Sequence, residues 1–150
     1  MEGIYEVYSP EETAKLAKDI AEKCNQGDVF ALLGDLGVGK TVFTKGFGIG
    51  LGISEPVVSP TFTILETYDD GRLPLYHFDV YRIGDVEEME EIGFEEYVYG
   101  QGVSLIEWAN LIEEIMPKGT IVIEITKDLS KGLDYRKITI TKSLREGYLN

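Results

Sequence analysis

At 150 residues, with 43% hydrophobic and 27% charged side chains, the chain has the size and composition of one folded domain, not of a disordered segment. Its 27 acids outweigh 14 bases for a net charge of −13, with no Lys or Arg between Ile83 and Pro117, which excludes a strong direct grip on nucleic acid. No apolar run approaches the roughly 20 residues of a membrane span, MEGIYEVYSPEE does not read as a signal peptide, and a lone Cys24 suits a reducing cytoplasm.

Ser9-Pro10-Glu11-Glu12 reads as a helix start, with Ser9 as N-cap, Pro10 in the first turn and Glu12 closing a capping box. The helix places Thr13, Leu16, Ala17, Ile20, Ala21 and Cys24 on one apolar stripe and ends near Gly27-Asp28, with Cys24 as core packing. Val29 to Leu33 is wholly apolar, as a strand buried on both faces would be. It leads into Gly34 to Thr41 and a helix expected to fade in the glycines at 46, 48, 50 and 52. Thr61 to Tyr68 and Leu73 to Tyr81 read as strands around the hairpin signal Asp69-Asp70-Gly71. Val86 to Tyr99 reads as an acidic helix, and Val103 to Ile106 as a buried strand. A helix through Leu111, Ile112 and Ile115 follows, stopping at Pro117. Thr120 to Thr126 and Lys137 to Thr141 alternate like strands, joined by a loop at Lys127 to Arg136. With no repeat or linker, residues 1–150 form a single α/β domain of P-loop NTPase type. Its sheet is mixed and mostly parallel, with helices on both faces and one antiparallel hairpin.

Gly34-Asp35-Leu36-Gly37-Val38-Gly39-Lys40-Thr41 matches G-x-x-x-x-G-K-[ST] at every fixed position, between an apolar strand and a helix. Glycines let successive backbone N–H groups converge on one phosphate, and the helix N-terminus adds a favourable dipole. Lys40 is expected on the β- and γ-phosphates, the Thr41 hydroxyl on Mg²⁺, and Val42 just behind them. A chance match in a chain of this length is on the order of one percent. Thr126-Lys127-Asp128-Leu129 resembles a guanine-reading motif but sets its acid one place early, so ATP is the expected nucleotide.

Such a site needs a carboxylate near Mg²⁺ at the end of a buried strand, and Glu107 stands there, followed by Trp108, read as a core or rim aromatic. In His77-Phe78-Asp79-Val80-Tyr81-Arg82, alternation puts Tyr76, Phe78 and Val80 on the core face. Leu75, His77, Asp79 and Tyr81 fall on the other. Asp79 is the candidate to orient the attacking water or to reach Mg²⁺ through one. His77 is either a hydrogen-bonded structural residue or a functional one, and Arg82 is expected to pair with one of the many acids, with contact to the γ-phosphate as the alternative. For the adenine, two segments are candidates, Ser9 to Thr13 with Pro10 and Glu11, and the loop at Gly132. The acids from Asp85 to Glu96 read first as a solvated helix face. The alternative is a docking surface for a basic partner.

Together, Gly34 to Thr41, Ser59-Pro60-Thr61-Phe62, His77 to Arg82 and Glu107-Trp108 resemble the TsaE (YjeE-like) ATPases, bacterial factors for threonylcarbamoyladenosine formation in tRNA. The resemblance runs from the first helix to about Thr126. It implies Lys40 and Thr41 on phosphate and Mg²⁺, Glu107 completing the metal site, Asp79 serving hydrolysis, and Ser59-Pro60-Thr61 as a switch-like loop. It also implies the transferase proteins TsaB and TsaD as partners, reset by slow, partner-stimulated ATP hydrolysis in the cytoplasm. Where the family usually has proline after Glu107-Trp108, Ala109 stands here. Two rival readings are a small-molecule kinase, which needs an Arg-bearing lid, and a nucleotide-gated binding module with negligible turnover.

Overall fold

The computed structural model describes residues 2–35, 37–60 and 63–143. Seven strands form one sheet: β1 (Gly3–Val7), β2 (Val29–Leu33), β3 (Leu65–Tyr68), β4 (Leu75–Asp79), β5 (Val103–Glu107), β6 (Ile121–Lys127) and β7 (Arg136–Lys142). Their order across the sheet is β1-β7-β6-β2-β5-β4-β3. β2 pairs in parallel with β5 and β6, and β4 pairs in parallel with β5. β3–β4, β6–β7 and β1–β7 are antiparallel, so only β3 and β7 run against the common direction. The edge strand β1 had no counterpart in the sequence reading. β3 starts later than expected but ends at Tyr68 as read, β4 is shorter at both ends, and Thr61 lies outside the described residues.

Helices cover both faces. α1 (Pro10–Lys23) and α2 (Lys40–Gly50) pack on one, where Ala17, Ile20, Phe43 and Phe47 meet Phe30, Leu32 and Leu105. α3 (Glu87–Glu91), α4 (Phe94–Val98) and a 3-10 segment, Ala109–Ile115, pack on the other, where Met89, Phe94 and Ile112 meet Ala31, Phe78 and Ile106. Alternation along β2 explains its unbroken apolar run, since Phe30 and Leu32 serve one core and Val29 and Ala31 the second. The same holds for β4: Leu75 joins the first core and Phe78 the second, so both of its faces are core, not the Phe78 face alone.

α1 begins as expected. The Ser9 hydroxyl accepts from Glu12 N at 3.2 Å, while the Glu12 carboxylate reaches one residue further back than a standard capping box, to Tyr8 N at 2.9 Å. The helix stops at Lys23, and Cys24, buried, is its C-cap. α2 does not fade at its glycines. A Cβ at Gly46 would stand 2.5 Å from Ala14 O, and one at Gly50 closer still to Lys18 O, so these glycines let α1 and α2 touch backbone to backbone. The acidic helix expected over Val86 to Tyr99 is two short helices, because Gly93 takes the left-handed conformation between them (φ 77°). After β5 the chain forms 3-10 turns kinked at Ile112 in place of an α-helix.

Candidate functional site

The site lies where β2, β4, β5 and β6 end and α2 begins. At Gly34 (φ 152°) a Cβ would stand 2.7 Å from Val38 Cγ2 and 2.8 Å from Ile125 O, so the loop presses against β6. Gly37 and Gly39 also have positive φ, 80° and 110°. Gly39 is the N-cap of α2 and makes no side-chain cap, leaving the helix's first N–H groups available to an anion.

Lys40 opens α2 with only 7% of its surface exposed, and its Nζ has no hydrogen-bond partner among the described residues. It sits 4.0 Å from the centroid of the Trp108 ring. Burial lowers its pKa, against the opposing pull of Glu107, Asp79 and Asp35. Trp108 is the one non-glycine residue among those described with positive φ (62°), and Tyr81 packs on its indole at 4.7 Å. Trp108 packs on the rim of the second core, as expected, and its ring also faces the loop lysine.

Parallel register places Asp79 directly beside Glu107. Asp79 Oδ1 accepts from Tyr81 N at 3.1 Å, which fixes the carboxylate while leaving it partly exposed. Glu107 is 4% exposed, and its Oε2 accepts from the Ser59 hydroxyl at 3.0 Å and lies 2.7 Å from His77 Nε2. The other nitrogen of His77, fully buried, lies 3.1 Å from Val58 O. A carbonyl can only accept, so Nδ1 carries a hydrogen. Burial works to raise the Glu107 pKa, but His77, Ser59 and Lys40 together hold its carboxyl below the ordinary value.

The structure therefore brings Lys40, Thr41, Asp79 and Glu107 to one place around the Gly34–Gly39 loop. Leu36 lies outside the described residues. Pro10 and Val42 line a cavity of about 180 Å³ beside Gly37, Val38 and Gly39, with Asp134 and Arg136 opposite. Glu11 and Gly132, both exposed, are not among its lining residues. A second, open cavity of about 540 Å³ joins Gly34, Asp35 and Val38 to the end of β6. Lys127, weighed in the sequence only within a guanine-reading resemblance and as the start of a loop, is the last residue of β6, and a Cβ on Gly37 would lie 3.7 Å from its Nζ.

Two of the arginines are committed elsewhere. Arg72 donates to Ala21 O at 2.7 Å and Cys24 O at 3.0 Å, and Arg136 to Val38 O at 2.7 Å. Arg82 is exposed and pairs with none of the described acids, contrary to expectation. Among the described residues no group of three His, Cys, Asp or Glu is placed to hold a metal ion. The Thr41 hydroxyl, next to Lys40 at the start of α2, and the Glu107 carboxylate are the oxygens that would hold Mg²⁺, an ion that takes one or two protein oxygens and completes its shell with phosphate and water. No helix among the described residues is long and apolar enough to cross a membrane.

Residues 7–138 match the sequence model of a family described as threonylcarbamoyl adenosine biosynthesis protein TsaE. The chain is 55% identical over 133 residues to the tRNA threonylcarbamoyladenosine biosynthesis protein TsaE of Bacillus subtilis, covering 89% of this chain and 81% of that one. To the protein of the same description from Treponema pallidum it is 44% identical over 132 residues, covering 88% and 95%. Among solved structures, the crystal structure of Bacillus subtilis YdiB superposes with a TM-score of 0.79 at 44% identity, covering 99% of this chain and 90% of that one.

Proposed function

The chain belongs to the TsaE family, whose role is threonylcarbamoyladenosine biosynthesis in tRNA, and from that premise we propose that it binds ATP with Mg²⁺ and hydrolyses it slowly. In this reading it acts in the cytoplasm on the threonylcarbamoyl transferase proteins TsaB and TsaD and does not grip tRNA itself. The Gly34–Gly39 backbone and the start of α2 cradle the phosphates, and Lys40 reaches the β- and γ-oxygens. Thr41 and Glu107 would hold Mg²⁺, which would supply charge neutralisation at the phosphates. Asp79, steadied by Tyr81 N, would orient the attacking water. The bond from that water's oxygen to the γ-phosphorus forms as the bond to the β-γ bridging oxygen breaks, releasing ADP and phosphate, with one of the water's protons kept on the phosphate and the other passed to solvent. Pro10 and Val42 flank the small cavity offered to the base.

The observation that carries this reading is Lys40. A buried ammonium without a hydrogen-bond partner is costly, and a phosphate oxygen is the ligand that would satisfy it. Lys40→Ala should therefore cut ATP affinity at least about tenfold, on the scale of a charge-assisted hydrogen bond of roughly 1.5–3 kcal/mol. Calorimetric titration of a variant that melts normally decides it. Unchanged affinity would refute the phosphate-loop assignment.

A further inference from the structure

We propose that His77 is a positioning residue that ties the Val58–Ser59 segment to the metal carboxylate, so that Mg²⁺–nucleotide occupancy and the state of that segment are coupled. The inference rests on Glu107 being the carboxylate that meets the metal, as read above. Two groups converge on one oxygen of that carboxylate, Ser59 Oγ, which donates at 3.0 Å, and His77 Nε2 at 2.7 Å. With Oε2 so engaged, Oε1 is the oxygen left for a cation. Carboxylate ligands held by such outer contacts keep their orientation.

His77 also reaches the other way, through Nδ1 to Val58 O at 3.1 Å. Val58 and Ser59 are adjacent, so the segment grasps the His77–Glu107 pair twice, once by a backbone carbonyl and once by a hydroxyl. Neither His77 contact competes with water, because the ring is fully buried. A shift of Glu107 toward a cation moves Oε2, and with it the contacts that reach residues 58 and 59. By linkage, the factor by which a bound cation shifts the equilibrium of that segment is the factor by which stabilising the segment changes cation affinity. Backbone pairing of β4 with β5 supplies the rigid base: Asp79 and Glu107 are opposite, and His77 lies opposite Leu105.

The sequence has one histidine, so the imidazole nitrogens of the labelled, full-length protein belong to His77. Adding Mg²⁺ to the ADP-bound protein should move the Nε2 resonance and change amide exchange at Val58 and Ser59, whereas metal-free ADP should leave both near their starting values. Two variants separate the arms. The amide of His77→Gln can reach Glu107 but not Val58. It should keep Mg²⁺-dependent ADP affinity within about twofold and abolish the exchange response. His77→Asn can reach Val58 but not Glu107. It should lose roughly tenfold in Mg²⁺-dependent affinity with metal-free ADP binding unchanged. Ring nitrogens that do not respond to Mg²⁺ in the wild type would overturn the inference without any variant having to fold. Equal loss of metal-free binding in both variants would overturn it as well. Glu107→Gln separates the two readings. If it leaves the Mg²⁺ dependence intact, the metal role of Glu107 fails. If it removes the dependence while both His77 variants behave as wild type, only the coupling fails.

Discussion

Burial takes the Lys40 ammonium out of water, and the face of Trp108, 4.0 Å away, returns only part of what water supplied. The group's pKa is lowered by that burial, so the folded chain gives up the proton before the unfolded chain does. The sign of the consequence follows. The penalty on folding is complete below the lowered pKa, and stability recovers as pH rises from there toward the ordinary 10.5. Lys40→Met should therefore raise the ligand-free melting temperature at pH 7. A gain of about 1 kcal/mol corresponds to roughly 2–4 °C, and it should shrink as pH approaches that of the free amine. With saturating Mg²⁺–ATP the order should reverse, because only the wild type is stabilised by ligand. Thermal melts with and without nucleotide test both halves. A variant that melts lower than wild type without ligand would mean that the Trp108 contact outweighs the burial.

The glycines of α2 carry the argument at the level of elements. In an exposed helix, replacing glycine by alanine gains about 1 kcal/mol. At Gly46 the added methyl would meet the backbone oxygen of Ala14 at 2.5 Å, and a backbone oxygen in a packed helix cannot step aside cheaply. Gly46→Ala should thus destabilise the chain by about 2 kcal/mol, as overpacking does, and urea unfolding would measure it. Neutral or improved stability would show that α1 can slide. This is also where the sequence was least legible. A glycine that ends a helix and one that lets two helices touch look alike until the partner helix is in place, so α2 reads as fading while Gly93 is missed as a break. β1 escapes for a related reason, since Gly3–Val7 becomes a strand by pairing with residues 136–140, which local pattern cannot anticipate. What depends on neighbours in sequence was readable: the Ser9 cap, the apolar run of β2 and the loop to Lys40. Glu107 stands out as a candidate because it follows an apolar run, and Asp79 because strand alternation sets it beside His77 on one face. The contacts that bind Ser59, His77 and Glu107 together span three separate segments, and no spacing rule joins them.

Taken whole, the molecule is asymmetric in charge. α3, α4 and the 3-10 segment cover one face of the sheet, and between Ile83 and Pro117 that face offers acids and no base. Beside it lies a cavity of about 360 Å³ lined by Ile83, Val86 and Leu111 with Asp85 and Glu114. If a basic partner docks here, reversing Glu87, Glu90 and Glu91 to Lys should abolish partner-stimulated turnover and spare basal ATP binding. Glu88 is better left alone, since its carboxylate accepts from Gly84 N at 3.1 Å. Opposite charges are screened over roughly 8 Å at physiological salt, so added salt should weaken the same complex. Normal stimulation of the reversed variant would mean that the face is merely solvated.

The central place of β2 has a consequence for how the protein comes into being. The strand that launches the phosphate loop emerges early from the ribosome, yet its neighbours are β5 and β6, with Val29 against Ser104 and Phe30 against Ile121. Pairings of such long sequence separation close late and slowly, because the intervening chain must first be ordered. Gly34 rests on Ile125, so even the turn that shapes the loop waits for β6. A nascent chain halted before β6 would display the whole glycine–lysine motif and still have no seat for a phosphate. Nucleotide can reward the finished fold, but it cannot guide the first half of the chain toward it.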